Sequence, residues 1–312
     1  MSSAPIRSHA EITRLNLYLA LSRTPHLLLD LAAPALAALL CLGAIPPVDV
    51  IVLGMVTAFA GYTAVYALND IIDYGIDCEM IASSSMTDTD ADLDSALTRH
   101  PLAQGLLSHQ GALIWTGSWA ALAMAGSYLL NPICPVIFLS AALFEIIYCH
   151  LLKITCLRSV VSGVVKTSGP IAAVFAVRPN PSASFIIMLF LWLFFWEIGG
   201  QNVPNDLSDL ETDRKIKACT IPVQFGIGVS IFVIVFSLTI ALAMSLCIIL
   251  VVPGHTSIPY LVGTLLTGFY FLVIPCYHLQ RVKTSREAMD LFNRASYYPL
   301  SMLAVTVISW LF

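Results

Sequence analysis

VIVLGMVTAFAGYTAVYALNDIIDYGID, residues 50–77, joins two chemistries in one stretch. Residues 50–68 are continuously apolar and carry no charge. A hydrocarbon core of about 30 Å takes about 20 helical residues to cross, so this run is a membrane helix. It ends in Asn69-Asp70-x-x-Asp73-x-x-x-Asp77, where the chain leaves the lipid. Positions i, i+3 or i+4, and i+7 or i+8 share one helix face, so the amide and the three carboxylates form one oxygen-rich stripe.

The whole chain repeats the first of these chemistries. Of 312 residues, 58% are hydrophobic and 11% are Asp, Glu, Lys or Arg. A typical soluble domain carries about 25% charged residues. With a mean hydropathy of +0.85, the composition excludes a soluble enzyme, a disordered chain and a nucleic-acid binder. It leaves an all-α, polytopic membrane protein. Apolar runs fall near 26–45, 50–68, 112–130, 133–152, 159–177, 185–203, 228–252, 258–277 and 295–312, which predicts nine spans in a single domain over 1–312. The runs are continuous rather than alternating, which favours helices over a β-barrel.

The N-terminal segment 1–25 and the polar segments 69–111, 204–227 and 278–294 then share one face. Of the 15 Lys and Arg residues, all but Lys166, which lies within a span, and Arg178 fall on it. The positive-inside rule makes that face cytosolic and puts the C-terminus opposite. Arg7, Glu11, Arg14 and Arg23 interrupt the N-terminus before any apolar stretch, so no signal peptide is expected. The eight cysteines form no C-x-x-C pair and read as small apolar residues.

Asn205-Asp206-x-x-Asp209-x-x-x-Asp213, after the sixth run, repeats the first acidic motif letter for letter. A repeat four spans apart points to a duplicated four-helix unit with its two sites facing each other. Three like charges on one stripe oppose each other unless a cation sits among them. Carboxylates, amide oxygens and retained water suit Mg²⁺, commonly with phosphate completing the shell. Ionisable groups at the edge of hydrocarbon are costly and mark function. The alternating Asp88, Asp90, Asp92 and Asp94 look superficially like a calcium loop. Leu93 and Arg99 occupy the positions where such a loop needs Gly and Glu, so 78–98 reads as a polar loop.

These features resemble the UbiA superfamily of intramembrane prenyltransferases over nearly the whole chain. The likeness rests on the span pattern and the two acidic motifs. Arg23-Thr24-Pro25, Arg99-His100-Pro101-Leu102-Ala103-Gln104-Gly105, Tyr148 with Lys153, Thr220-Ile221-Pro222 and Phe225-Gly226 match more weakly. The resemblance implies a helical bundle around a cavity. Mg²⁺ ions held by Asn69, Asp70, Asp73, Asp77, Asn205, Asp206, Asp209 and Asp213 would bind an isoprenyl diphosphate there, and the six Asp residues would be needed for turnover. Departure of the diphosphate leaves an allylic carbocation. Arg99, Lys153, Arg214 and Lys215 are candidate phosphate clamps. Lys166, mid-span, is a candidate substrate contact, and the faces of Tyr66 and Trp196 are candidate cation-stabilising walls.

The chain departs from the family where acceptors are bound. Aromatic-acid transferases carry Tyr-Asp-Thr-x-Tyr before the second motif and the lipid-ether branch carries Arg-Glu-Ile. Here the residues are Gln201-Asn202-Val203-Pro204-Asn205, and Cys219 stands where a basic residue is usual. Loss of these polar groups favours a terpene cyclase, in which the cation closes on its own chain. The alternative is transfer to a small acceptor. A secondary transporter is the remaining class, disfavoured because the acids lie at span ends rather than mid-span. Isoprenoid length, product, acceptor and oligomeric state stay open.

Overall fold

The structure is a computed structural model that describes residues 13–83, 93, 97–252 and 258–310. Asp88, Asp90, Asp92 and Asp94 lie outside the described residues. Helices and no strand occur among the described residues. Among the described residues eight helices are long and apolar enough to cross a membrane: Thr24–Leu42, Val48–Ile72, His109–Leu130, Ile133–Leu151, Arg158–Val177, Ala183–Ser208, Ile221–Leu250 and Ile258–Val282. Outward positions such as Leu113, Ile114, Leu129, Val136, Leu139 and Leu143 are exposed, as a lipid-facing surface requires. The chain is a multi-pass integral membrane protein.

The ninth expected span, 295–312, takes a different form. Ser285–Ser296 and Tyr298–Ser309 are two helices of 12 residues each. The second is about 18 Å long, too short to cross alone. Ser285–Ser296 buries Ala288, Met289, Leu291 and Ala295 and turns its charges outward. It packs beside Val203–Ser208 and Thr24–Asp30, whereas Tyr298–Ser309 packs on Ile258–Gly268 and Ala32–Leu42. The pair therefore runs from the ends of the spans that carry the acids toward the opposite ends. Within the polar segment 278–294, apolar residues recur at helical spacing and bury one face.

The sixth span changes pitch where the second motif approaches. Residues Glu197–Asn202 form a π turn, all buried. Pro204 has no N–H for the carbonyl four residues back, and Gln201 Nε2 donates to that Gly200 oxygen instead, at 3.1 Å. The largest core cluster lies in the second half of the chain, where Trp192, Trp196 and Tyr298 are fully buried among aliphatic residues. The first six spans, with Phe292, Leu303 and Val307 of the last two helices, bound a cavity of about 690 Å³.

Candidate functional site

Both acidic motifs line this one cavity. Asn69 and Asp70 sit on the last turn of the second span, Asp73 caps it, and Asp77 begins the helix Tyr74–Ser83. Asp206 lies on the last turn of the sixth span, Asp209 caps it, and Asp213 lies on Leu210–Lys215. The two short helices touch. The stripes thus converge at one end of the bundle.

Basic groups surround the first motif. His100 Nδ1 is 2.9 Å from Asp77 Oδ2 and 3.7 Å from Asp70 Oδ1, and Arg23 Nη2 is 3.6 Å from the same Asp70 oxygen. One ligand atom each from Asp70, Asp77 and His100 lies within 4.8 Å of the others, close enough to share an ion. Arg23 and His100 both have left-handed backbone, at φ 45° and 46°. Such conformations cost about 1–3 kcal/mol in a residue with a side chain and collect at functional sites. Burial opposes a charge on His100, but its bonds to Asp70 and Asp77 outweigh that and lift its pKa to about 9. Burial, then the neighbouring Asp77, raises Asp73 to about 6 despite Arg158 and Arg23.

Arg158 bridges the motifs. Its Nη1 is 3.6 Å from Asp206 Oδ1, its guanidinium stacks 4.2 Å over the Tyr148 ring, and its field reaches Asp73 and Asp213. Asp213 accepts from Thr220 Oγ1 at 3.0 Å. Burial, then Asp209, raises its pKa to about 6. Asp73 Oδ1, Asp206 Oδ2 and Arg158 Nε are buried without a hydrogen-bond partner among the described residues. Unmet carboxylate oxygens from both motifs, aimed into one cavity, have the chemistry of a divalent-cation site.

The other expected residues divide. Asn205 and Arg99 line the cavity, as do Tyr66 and Lys166. Asn69 also lines it, but its carboxamide is engaged at both ends: Oδ1 accepts from Arg23 at 3.1 Å, and Nδ2 donates to Glu145 at 2.8 Å. Lys153 is not at the cavity; it pairs with Glu79 at 2.5 Å. Arg214 pairs with Glu211 at 3.1 Å, and both it and Lys215 point away from the cavity, exposed. Trp196 is not a cavity wall: it is 1% exposed in the core and donates from Nε1 to the Ala295 carbonyl at 3.0 Å. Its position, one turn after Trp192, carries it toward the later helices, and Glu197, one residue on, faces the cavity.

Deeper in the bundle lies a second polar group that the sequence reading had only in part. Lys166 Nζ donates to Asp30 Oδ2 at 2.6 Å and to the Tyr66 hydroxyl at 3.0 Å, and Tyr66 also donates to Asp30. Ser162 donates to Glu197 at 2.7 Å. The mid-span charge rule that singles out Lys166 also singles out Asp30, Glu145 and Glu197, each an acid inside an apolar run. Arg23 and Arg158 were counted for topology and Arg23 and His100 were quoted within weaker motif matches, and only the fold brings all three to the acids.

The acceptor-side residues are bonded inside the protein except at Asn202 Oδ1, which is buried with no hydrogen-bond partner among the described residues. Gln201 Nε2 donates to Gly200 and Phe292 carbonyls, and its Oε1 accepts from Ser296. Asn202 Nδ2 donates to the Tyr148 hydroxyl at 3.1 Å.

Fold and site together define a helical membrane protein in which paired acidic motifs close one end of an apolar cavity. Residues 31–297 match the UbiA prenyltransferase family, and the chain belongs to it. No curated protein matches the sequence. Among solved structures, a UbiA homologue from Aeropyrum pernix K1 aligns with TM-score 0.71 and 17% identity, over 91% of this chain and 98% of that one. A UbiA homologue from Archaeoglobus fulgidus, bound to DMAPP and Mg²⁺, aligns with TM-score 0.66 and 16% identity, over 93% and 99%. A digeranylgeranylglyceryl phosphate synthase aligns with TM-score 0.64 and 20% identity, over 95% and 98%.

Proposed function

We propose that the protein is a Mg²⁺-dependent intramembrane enzyme that ionises an isoprenyl diphosphate, releases pyrophosphate, and closes the resulting carbocation on its own chain as a terpene cyclase. The observation that carries the first part is the pair of acidic stripes facing one cavity, with Asp73 Oδ1 and Asp206 Oδ2 buried and unmet. The residues that would hold the metal are Asp70, Asp73, Asp77, Asp206, Asp209 and Asp213, with Asn205; Asn69 orients Arg23 beside them. A divalent cation held by these residues would supply positive charge to offset the negative charge that develops on a departing diphosphate. The Archaeoglobus relative with DMAPP and Mg²⁺ supports the same ligand pair here.

The protein's own groups complete the work. Arg158 places a positive charge between the motifs, and Arg23, His100 and Arg99 add cationic or hydrogen-bonding groups at the same end. The remaining cavity is largely apolar, and its 690 Å³ falls in the range of about 300–1,000 Å³ usual for small-molecule sites. Tyr62 and Tyr66 stack 6.5 Å apart on its wall, where their faces can steady a cation by about 0.5–2 kcal/mol each. Water is kept from the cation by the apolar lining.

Cyclisation is favoured over transfer because the Gln201 carboxamide is taken up by protein partners at both ends and that of Asn202 at Nδ2, which leaves Asn202 Oδ1 as the one unmet atom of the pair. Transfer to a small acceptor is the second reading, supported by the family and by the polar group around Lys166. Turnover of farnesyl or geranylgeranyl diphosphate with and without added aromatic and lipid acceptors separates them. A cyclic terpene from the diphosphate alone supports the cyclase. An enzyme inert until an acceptor is supplied contradicts it. The acidic motifs and N-terminus face the cytosol in this reading and the C-terminus the opposite side, supported by the charge distribution.

A further inference from the structure

Glu197 is an acid without an obvious structural duty. It is 6% exposed, opens the π turn of the sixth span, and lines the cavity. One carboxylate oxygen accepts from Ser162; the other, Oε2, is buried with no hydrogen-bond partner among the described residues. Ser162 does not need it. Thr167 and Ser168, on the same helix, satisfy their hydroxyls with backbone carbonyls four residues back. A carboxylate inside an apolar span is costly and points to function, and π turns recur at functional sites.

Its neighbours leave it available. Asp30 is already matched by Lys166 and Tyr66. Lys166 lines the same cavity, with its ammonium committed to Asp30 and Tyr66. Nine residues separate Glu197 from Asp206 along the span, about 13 Å of helix rise. A substrate with its diphosphate at the acidic motifs therefore lays its hydrocarbon, not its phosphates, beside Glu197. The departing pyrophosphate is too far away to collect a proton lost at that depth.

We propose that Glu197 is the base that ends the reaction. Its Oε2 takes a proton from the carbon adjacent to the cationic centre. The C–H electron pair becomes the π bond of an alkene, and the carboxylate becomes a carboxylic acid. Lys166 stays an ammonium throughout. The acid returns its proton to water when product and pyrophosphate leave. This rests on the cyclase reading above.

The test uses purified full-length protein with Mg²⁺ and farnesyl or geranylgeranyl diphosphate alone, counting alkene and alcohol per pyrophosphate released. Wild type should yield alkene. Glu197→Gln should lower alkene per pyrophosphate by about a hundredfold, the lower end of what a positioned base contributes, and replace it with alcohol carrying oxygen from labelled water. An unchanged alkene-to-alcohol ratio overturns the assignment, as does loss of pyrophosphate release in a variant that unfolds at the wild-type temperature. Should Glu197→Gln not fold, Glu197→Asp decides: a shifted double-bond position supports the base, and an unchanged isomer ratio overturns it. Wild-type protein that releases no pyrophosphate from the diphosphate alone refutes the cyclase reading and the base with it. Normal cyclisation in both proteins refutes the base only.

Discussion

Replacing Lys166 with Met keeps the side-chain stem and removes the ammonium from Asp30. Asp30 is 4% exposed, and Lys166 Nζ lies 2.6 Å from its Oδ2. The remaining neighbours are the Tyr66 hydroxyl and His26, whose Nε2 is 3.8 Å from Oδ1. Removing one partner of a buried pair costs about 3–5 kcal/mol because a charge is left buried, whereas an exposed pair contributes about 0–1 kcal/mol. The Lys166 side chain is 15% exposed, so we expect the lower end, about 3 kcal/mol. That is about two decades in the unfolding equilibrium constant. Asp30→Asn combined with Lys166→Met removes both charges and should recover most of the loss. Equilibrium unfolding in mixed micelles, followed by tryptophan fluorescence through the double-mutant cycle, measures both. A single variant that loses under about 1 kcal/mol, or a double variant that loses the sum of the two singles, refutes the reasoning.

Arg158→Gln removes the charge between the motifs and should lower kcat by about 10²–10³-fold, as loss of one preorganised electrostatic donor does; steady-state pyrophosphate release measures it, and wild-type kcat would contradict it. In Gly169→Ala the new Cβ would lie 2.7 Å from the Tyr62 hydroxyl, so the ring must move; gas chromatography should show a changed product ratio, and an identical profile would speak against Tyr62 as a wall. Single cysteines at Lys215 and Asn180 should react with impermeant thiol reagents from opposite sides of sealed vesicles, Lys215 from the cytosolic side. Reaction of both from one side would break the span order.

The membrane runs and both acidic motifs were legible because each is encoded locally. Hydropathy needs only a window of one span, and the stripe Asp70, Asp73, Asp77 needs only helical spacing. Its exact repeat at Asp206, Asp209 and Asp213 made the facing arrangement legible as well. Lys166 was legible as a charge inside an apolar run. Asp30, Glu145 and Glu197 carried the same signal, but each is a lone acid in an apolar run, and what it faces depends on the rotation of its span. Arg158 and His100 were not legible as site residues. Their contacts depend on a helix start and a left-handed turn that no spacing encodes. Trp196 failed for a related reason. Four of the five residues 192–196 are aromatic, and which of them faces the cavity depends on the rotation of the span in the bundle. The ninth run differs in form, because a break at Tyr297 between two short helices leaves mean hydropathy unchanged.

The central claim is that the two motifs act as one metal-dependent site for an isoprenyl diphosphate. The most direct test is pyrophosphate release from farnesyl or geranylgeranyl diphosphate by purified wild type, Asp73→Asn and Asp209→Asn, each with Mg²⁺ and with chelator. The account predicts release by wild type with Mg²⁺ alone, and none with chelator or in either variant although both fold. Release that persists in chelator, or full activity in a variant of either motif, would contradict it.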